Sequence, residues 1–202
     1  MFDSHPTTRA ATPSIEAEVT IFMGRAGFES GVTRVLDSAA AAAGECAVLY
    51  VGLAGPALAD PDAARKTLRL AADILRARVK AGALAYLGEG RFAVLLRRVS
   101  GRDAVHYCRE VLSVFDDIRL QWQGEILTVD SWIGGAMVEA HHDGSTLLEA
   151  AEHAAGAAST KPGRQLHMVH DQDEGTISVQ EEDTLPTHIR AQAVAAFAAR
   201  AA

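Results

Sequence analysis

The sequence predicts an α/β sandwich, with helices flanking a mixed, mainly antiparallel central sheet, and three observations carry this reading. Helical and strand periodicities alternate along the chain. One apolar run, residues 46–53 (CAVLYVGL), suits a strand buried on both faces. Two apolar stretches later in the chain are each interrupted by glycine, as hairpins are.

The elements follow in order. Residues 28–43 read as a helix with Phe28, Val32, Val35 and Ala39 on one face and Gly44 as its stop. After the 46–53 strand, Asp60 and Pro61 supply an N-cap and a first-turn proline. The helix they open carries Ala64, Leu68, Ala71, Leu75 and Val79 at spacings of three and four. Residues 83–87 and 92–99 form a hairpin whose tip is Gly88-Glu89-Gly90-Arg91. Ser100 and Asp103 make a capping box before a helix that turns Ala104, Cys108, Val111, Phe115 and Ile118 inward. Residues 120–123 and 125–138 read as a second hairpin, joined near Gly124, in which Trp122 and Trp132 pack across strands. A helix from about Ser145 holds Leu147, Leu148, Ala151, Ala154 and Ala158, and residues 165–169 offer a last strand.

Four segments result. Residues 1–17 form a flexible N-terminal arm, 18–170 the folded domain, 171–184 an acidic linker and 185–202 an Ala-rich helix. That last helix, with Ile189, Val194 and Phe197, is marginal alone and should dock on something. Homodimerisation is one arrangement it allows.

Charge and composition exclude several classes. Of 202 residues, 49% are hydrophobic and 22% charged, which suits a soluble core. The formal charge is −7, which disfavours nucleic acid and anionic membrane as partners. Six of the acidic residues (Asp171, Asp173, Glu174, Glu181, Glu182, Asp183) lie in the linker, and without them the charge is −1. Cys46 and Cys108 fall in apolar stretches and read as free buried thiols, not a disulfide scaffold or zinc site. No run spans a bilayer and the N-terminus lacks a secretory pattern, so a reduced, cytoplasmic protein is expected.

The hairpin tip narrows the field. Residues 84–96 (LAYLGEGRFAVLL) resemble the signature hairpin of GGDEF domains, the diguanylate cyclase family, with Gly88-Glu89-Gly90-Arg91-Phe92 as the pentapeptide. Residues 19–28 (VTIFMGRAGF) resemble the family's opening, retaining Thr20, Arg25 and Phe28. Residues 131–136 (SWIGGA) resemble its "SIGVA" strand, and 147–152 (LLEAAE) with Lys161, Gly163 and Arg164 its close. These resemblances follow one another in the family's order across most of the chain.

The resemblance implies two GTP molecules joined through divalent metal held by carboxylates. It places those carboxylates at the end of the first core strand and at the third and fourth pentapeptide positions. Here they are Gly52, Gly90 and Arg91, so the resemblance implies a degenerate member without catalytic residues or a metal site. Glu89 stands one residue early, and a one-residue slip along a strand turns a side chain to the opposite face. A guanidinium repels a cation as well: unit charges 4 Å apart interact by about 4 kcal/mol at an effective dielectric of 20, and a dication by roughly twice that.

The family's base-reading segment corresponds to the shorter stretch 55–65, in which Asp60 and Asp62 remain as acceptors and Arg65 stands where an Asp is expected. Asp60 equally serves as a helix cap. Its inhibitory product site corresponds to Lys80–Ala83, which lacks the Arg and Asp that would grip cyclic di-GMP. Arg76 and Arg78 lie nearby. Arg91, Lys161 and Arg164 remain as cations that could converge on phosphate without metal, beside glycines 88 and 90. Arg91 could equally pair with Glu89. The stretch His141-His142-Asp143 reads as a polar loop, His106 and His153 as helix residues, and Ser131 lacks triad partners.

The expected function is therefore a catalytically inactive module of bacterial cyclic di-GMP-linked signalling that acts on another protein, an effector or a phosphodiesterase. No cofactor is expected. A metal-independent receptor for GTP or cyclic di-GMP is the alternative, and an active cyclase the remotest reading.

Overall fold

The apolar run beginning at Cys46 is the middle strand of the sheet, because only there can every residue be covered on both faces. The computed structural model describes residues 23–37, 46–78, 82–138, 143–160 and 165–169. The arm 1–17, linker 171–184, terminal helix 185–202, Lys80, His141, His142, Lys161 and Arg164 lie outside them.

In chain order the elements are α1 (Arg25–Leu36), β1 (Cys46–Ala54), a 3-10 turn (Pro56–Leu58), α2 (Pro61–Arg78), β2 (Ala83–Gly88) and β3 (Arg91–Arg97). There follow α3 (Gly101–Asp116), β4 (Arg119–Trp122), β5 (Glu125–Thr128), β6 (Asp130–Met137), α4 (Gly144–Ser159) and β7 (Gln165–Val169). The central sheet runs β2-β3-β1-β6-β7. Its pairings are antiparallel except for β6 with β7. The predicted mixed sandwich is the observed one.

Period-two alternation along β1 divides the core. Ala47, Leu49, Val51 and Leu53 join Leu68 and Leu75 of α2 and Cys108 and Phe115 of α3. Cys46, Val48 and Tyr50 face Phe28 and Val32 of α1 and Leu147, Leu148 and Ala151 of α4. Both cysteines are free and buried, and burial pushes the Cys108 thiol far up. No helix among the described residues is long and apolar enough to cross a membrane.

Two helix starts follow the caps read from sequence, and a third, at Asp143, falls on a residue read there as polar loop. Asp60 Oδ1 accepts from the N–H groups of Asp62 (3.0 Å) and Ala63 (2.9 Å). Ser100 and Asp103 exchange both capping-box hydrogen bonds. Asp143 Oδ1 accepts from the Thr146 N–H at 2.7 Å and opens α4. Ser100→Ala removes an acceptor from the first turn of α3 and is expected to lower stability by about 1 kcal/mol, read as a lower urea midpoint with unchanged slope.

Several boundaries depart from expectation: α1 starts at Arg25 and is capped at Asp37, short of the expected residue 43, and β3 ends at Arg97, short of residue 99. Residues 125–138 are not one strand. Residues 125–128 pair with β4 in a separate two-stranded ribbon, whereas 130–137 enter the central sheet. The break comes at buried Val129, where a strand with one covered face becomes a strand covered on both. Ile118 reaches the core as predicted, but from beyond the end of α3.

Candidate functional site

The β2–β3 hairpin reaches the end of β1 through a tip of three successive left-handed residues: Gly88 (φ 93°), Glu89 (φ 51°) and Gly90 (φ 78°). Such a turn matches the twist of the strands it joins. The Gly90 carbonyl accepts from the Leu53 N–H at 3.0 Å, and the Gly90 N–H donates to the Tyr86 hydroxyl at 3.4 Å. This clamp leaves no room for a side chain. A Cβ at Gly90 would lie 2.8 Å from both the Leu53 carbonyl oxygen and Leu58 Cδ2.

Across the sheet, Arg91, Gly52 and Trp132 occupy one row, since Gly52 stands opposite Arg91 on one side and Trp132 on the other. The Trp132 indole lies over Gly52, and its Cε2 and Cζ2 fill the space a Cβ would need. Glu89 is a turn residue with a largely exposed side chain, so the strand-slip expectation does not apply to it. Its carboxylate pairs with Arg91 Nη1 at 3.1 Å. Both groups are solvated, and such a pair contributes about 0–1 kcal/mol.

No family model and no curated protein matches this sequence. Solved structures do match. The GGDEF domain of YfiN (TpbB) from Pseudomonas aeruginosa superposes with a TM-score of 0.62 at 26% identity, over 73% of this chain and 97% of that one. The coiled coil and GGDEF domain of DgcB from Caulobacter crescentus, solved in complex with c-di-GMP, gives 0.62 at 17% identity, over 75% and 84%. A sensory box/GGDEF family protein from the same organism gives 0.61 at 20%, over 71% and 96%.

The chain has the GGDEF fold. In this GGDEF-fold protein a hairpin occupies the residues that the sequence reading gave to one. Its residues do not fit a divalent cation: Gly52 and Gly90 offer no side-chain oxygen, Arg91 is cationic, and an indole covers Gly52. Among the described residues, no three His, Cys, Asp or Glu side chains are grouped to hold a metal.

On the opposite face of β1, a cleft of about 530 Å³ runs between the hairpin tip and α2, lined by Leu53, Leu58, Ala64, Leu68 and Tyr86. Asp60 is committed to its cap, and Arg65 pairs with Asp62 at 3.3 Å. The walls are mostly apolar, with the Glu89 side chain and the Gly88–Gly90 backbone at the hairpin end.

Sequence reasoning missed a network on the α1–α4 face. Glu152 accepts from the Tyr50 hydroxyl at 3.2 Å and from Arg25 at 2.6 Å, and Arg25 also reaches Glu29 at 3.5 Å. A tyrosine inside an otherwise aliphatic strand was the available signal. Burial, then the Glu152 charge, pushes the Tyr50 phenol up to about 12, with Arg91 and Arg25 opposing. The Glu152 hydrogen bond raises Arg25 in turn. The fold thus favours neutral Tyr50, a stabilisation present below the ordinary tyrosine value and lost as pH rises from about 10 towards 12. Alkaline unfolding is therefore expected to shift to higher pH in Tyr50→Phe than in the native chain, each followed by circular dichroism against its own neutral-pH stability.

The remaining candidates lie in strand pairings, ion pairs and ring contacts. Ala83 opens β2 opposite Leu95. Arg78 pairs with Glu110 at 3.2 Å and Arg76 with Asp73 at 3.7 Å. His106 approaches Glu110 at 3.6 Å. Trp122 carries Lys66 Nζ over its ring at 4.6 Å, while Trp132 packs against its cross-strand partner Gly52.

Proposed function

We propose that this GGDEF-fold protein is a non-catalytic module of bacterial cyclic di-GMP-linked signalling, working in the cytoplasm by binding another protein such as an effector or phosphodiesterase. The fold supports the signalling context. The observation that carries the loss of catalysis is the Arg91–Gly52–Trp132 row, in which a guanidinium and an indole stand where a metal would need carboxylates. The clamped Gly90 points the same way.

A second reading, a metal-independent receptor for GTP or cyclic di-GMP, is favoured by one feature. Arg91 keeps about half of its side chain exposed, beside a Gly88 with open space around it. A phosphate there must displace Glu89. Calorimetric titration of the full chain with GTP and with cyclic di-GMP, with and without magnesium, separates the readings. The interaction module gives no heat with either nucleotide. Binding that is indifferent to magnesium and weakened by Arg91→Ala establishes the receptor, and magnesium-dependent GTP binding refutes the non-catalytic reading.

A further inference from the structure

Three arginines gather where β3 passes into α3. Arg97, Arg98 and Arg102 are all exposed, and Arg98 holds a left-handed φ of 57°. Among the described residues none of the three side chains makes an ion pair or a hydrogen bond. Asp103, next to Arg102, is already committed to the N–H and hydroxyl of Ser100. The corner therefore gathers three exposed guanidiniums against one adjacent carboxylate, Asp103, on a chain whose formal charge is −7.

The sheet register brings this corner to the end where β7 finishes. Val169 is opposite Ala136, Ala136 opposite Val48, and Val48 opposite Leu95, two residues before Arg97. Three strand spacings amount to about 14 Å. The α3 side is nearer the exit: a methyl at Gly101, next to Arg102, would lie 4.0 Å from Met137 Sδ, at the end of β6 beside β7. Two residues past Val169 the acidic stretch 171–183 begins, with six carboxylates and no Lys or Arg. Thirteen residues can extend some 43 Å, several times the gap.

We infer that the acidic segment 171–183 of the same chain docks on the Arg97–Arg98–Arg102 corner as an electrostatic self-contact. Tethering so close to the corner gives the segment an effective concentration of order millimolar, ahead of an untethered acidic competitor. This contact is independent of the nucleotide chemistry of the hairpin.

The test places a nitroxide on Ser178→Cys in the full-length, 15N-labelled protein, where buried Cys46 and Cys108 escape labelling. The amides of Val99–Asp103 are expected to broaden at about 0.01 M salt and to recover at least about twofold in intensity near 1 M, as screening shortens. The broadening should vanish when Asp171, Asp173 and Asp183 become Asn and Glu174, Glu181 and Glu182 become Gln. Those changes leave the folded domain untouched. Arg98→Ala with Arg102→Ala should also abolish it. Three results overturn the inference: no salt-sensitive broadening, broadening that survives neutralisation of the segment, or broadening seen only between a labelled chain and a second, unlabelled 15N chain.

Discussion

Gly134→Ala is expected to lower the stability of the domain by about 3 kcal/mol or more, a large share of what a domain this size possesses. Gly134 lies where β6 passes directly beneath α4, and a Cβ there would overlap the Ala155 nitrogen and the Ala151 carbonyl oxygen. Both are backbone atoms, so no rotamer change relieves the contact. The helix must lift from the sheet, taking buried Leu147, Leu148 and Ala151 with it. Gly156→Ala is the control. That glycine lies in the same helix with nothing within 4 Å of an added Cβ, and the change is expected to be neutral or to stabilise by up to about 1 kcal/mol. Urea midpoints of the two variants against the native chain measure the contrast.

Restoring carboxylates to the hairpin is expected to cost stability without creating a cyclase. An Asp at Gly90 must adopt φ near +78° and push against the Leu53 carbonyl and Leu58, and an Asp at Gly52 must expel the Trp132 indole. Each substitution is expected to cost about 1–3 kcal/mol, and their neighbouring positions make the sum non-additive. Gly52→Asp with Gly90→Asp and Arg91→Glu should therefore melt well below the native chain and form no product from GTP with magnesium. A triple variant that melts like the native chain and turns GTP over would show that the surrounding site had kept its catalytic shape.

Local signals in the sequence were reliable because their causes are local. The two-sided burial of β1 shows in its unbroken apolar run, and the Asp60 and Ser100 caps need only a few residues each, whereas the Asp143 cap was read as polar loop. The division at Val129 was not legible. No glycine or proline marks it, and it depends on which distant strand each half meets. The candidate site divides in the same way. That positions 52, 90 and 91 carry no carboxylate could be read from residue types alone. The indole over Gly52, the clamp on Gly90 and the joining of Tyr50, Glu152 and Arg25 depend on pairing register and on helices far apart in sequence. Glu89 was misjudged because a strand periodicity was applied to a residue that the structure puts in the turn.

The most direct measurement incubates the purified full-length chain with GTP and magnesium or manganese and looks for cyclic di-GMP by chromatography. GTP should be recovered intact at every metal concentration. Steady accumulation of cyclic di-GMP, abolished by removing the metal, would contradict the proposed non-catalytic reading of Gly52, Gly90 and Arg91.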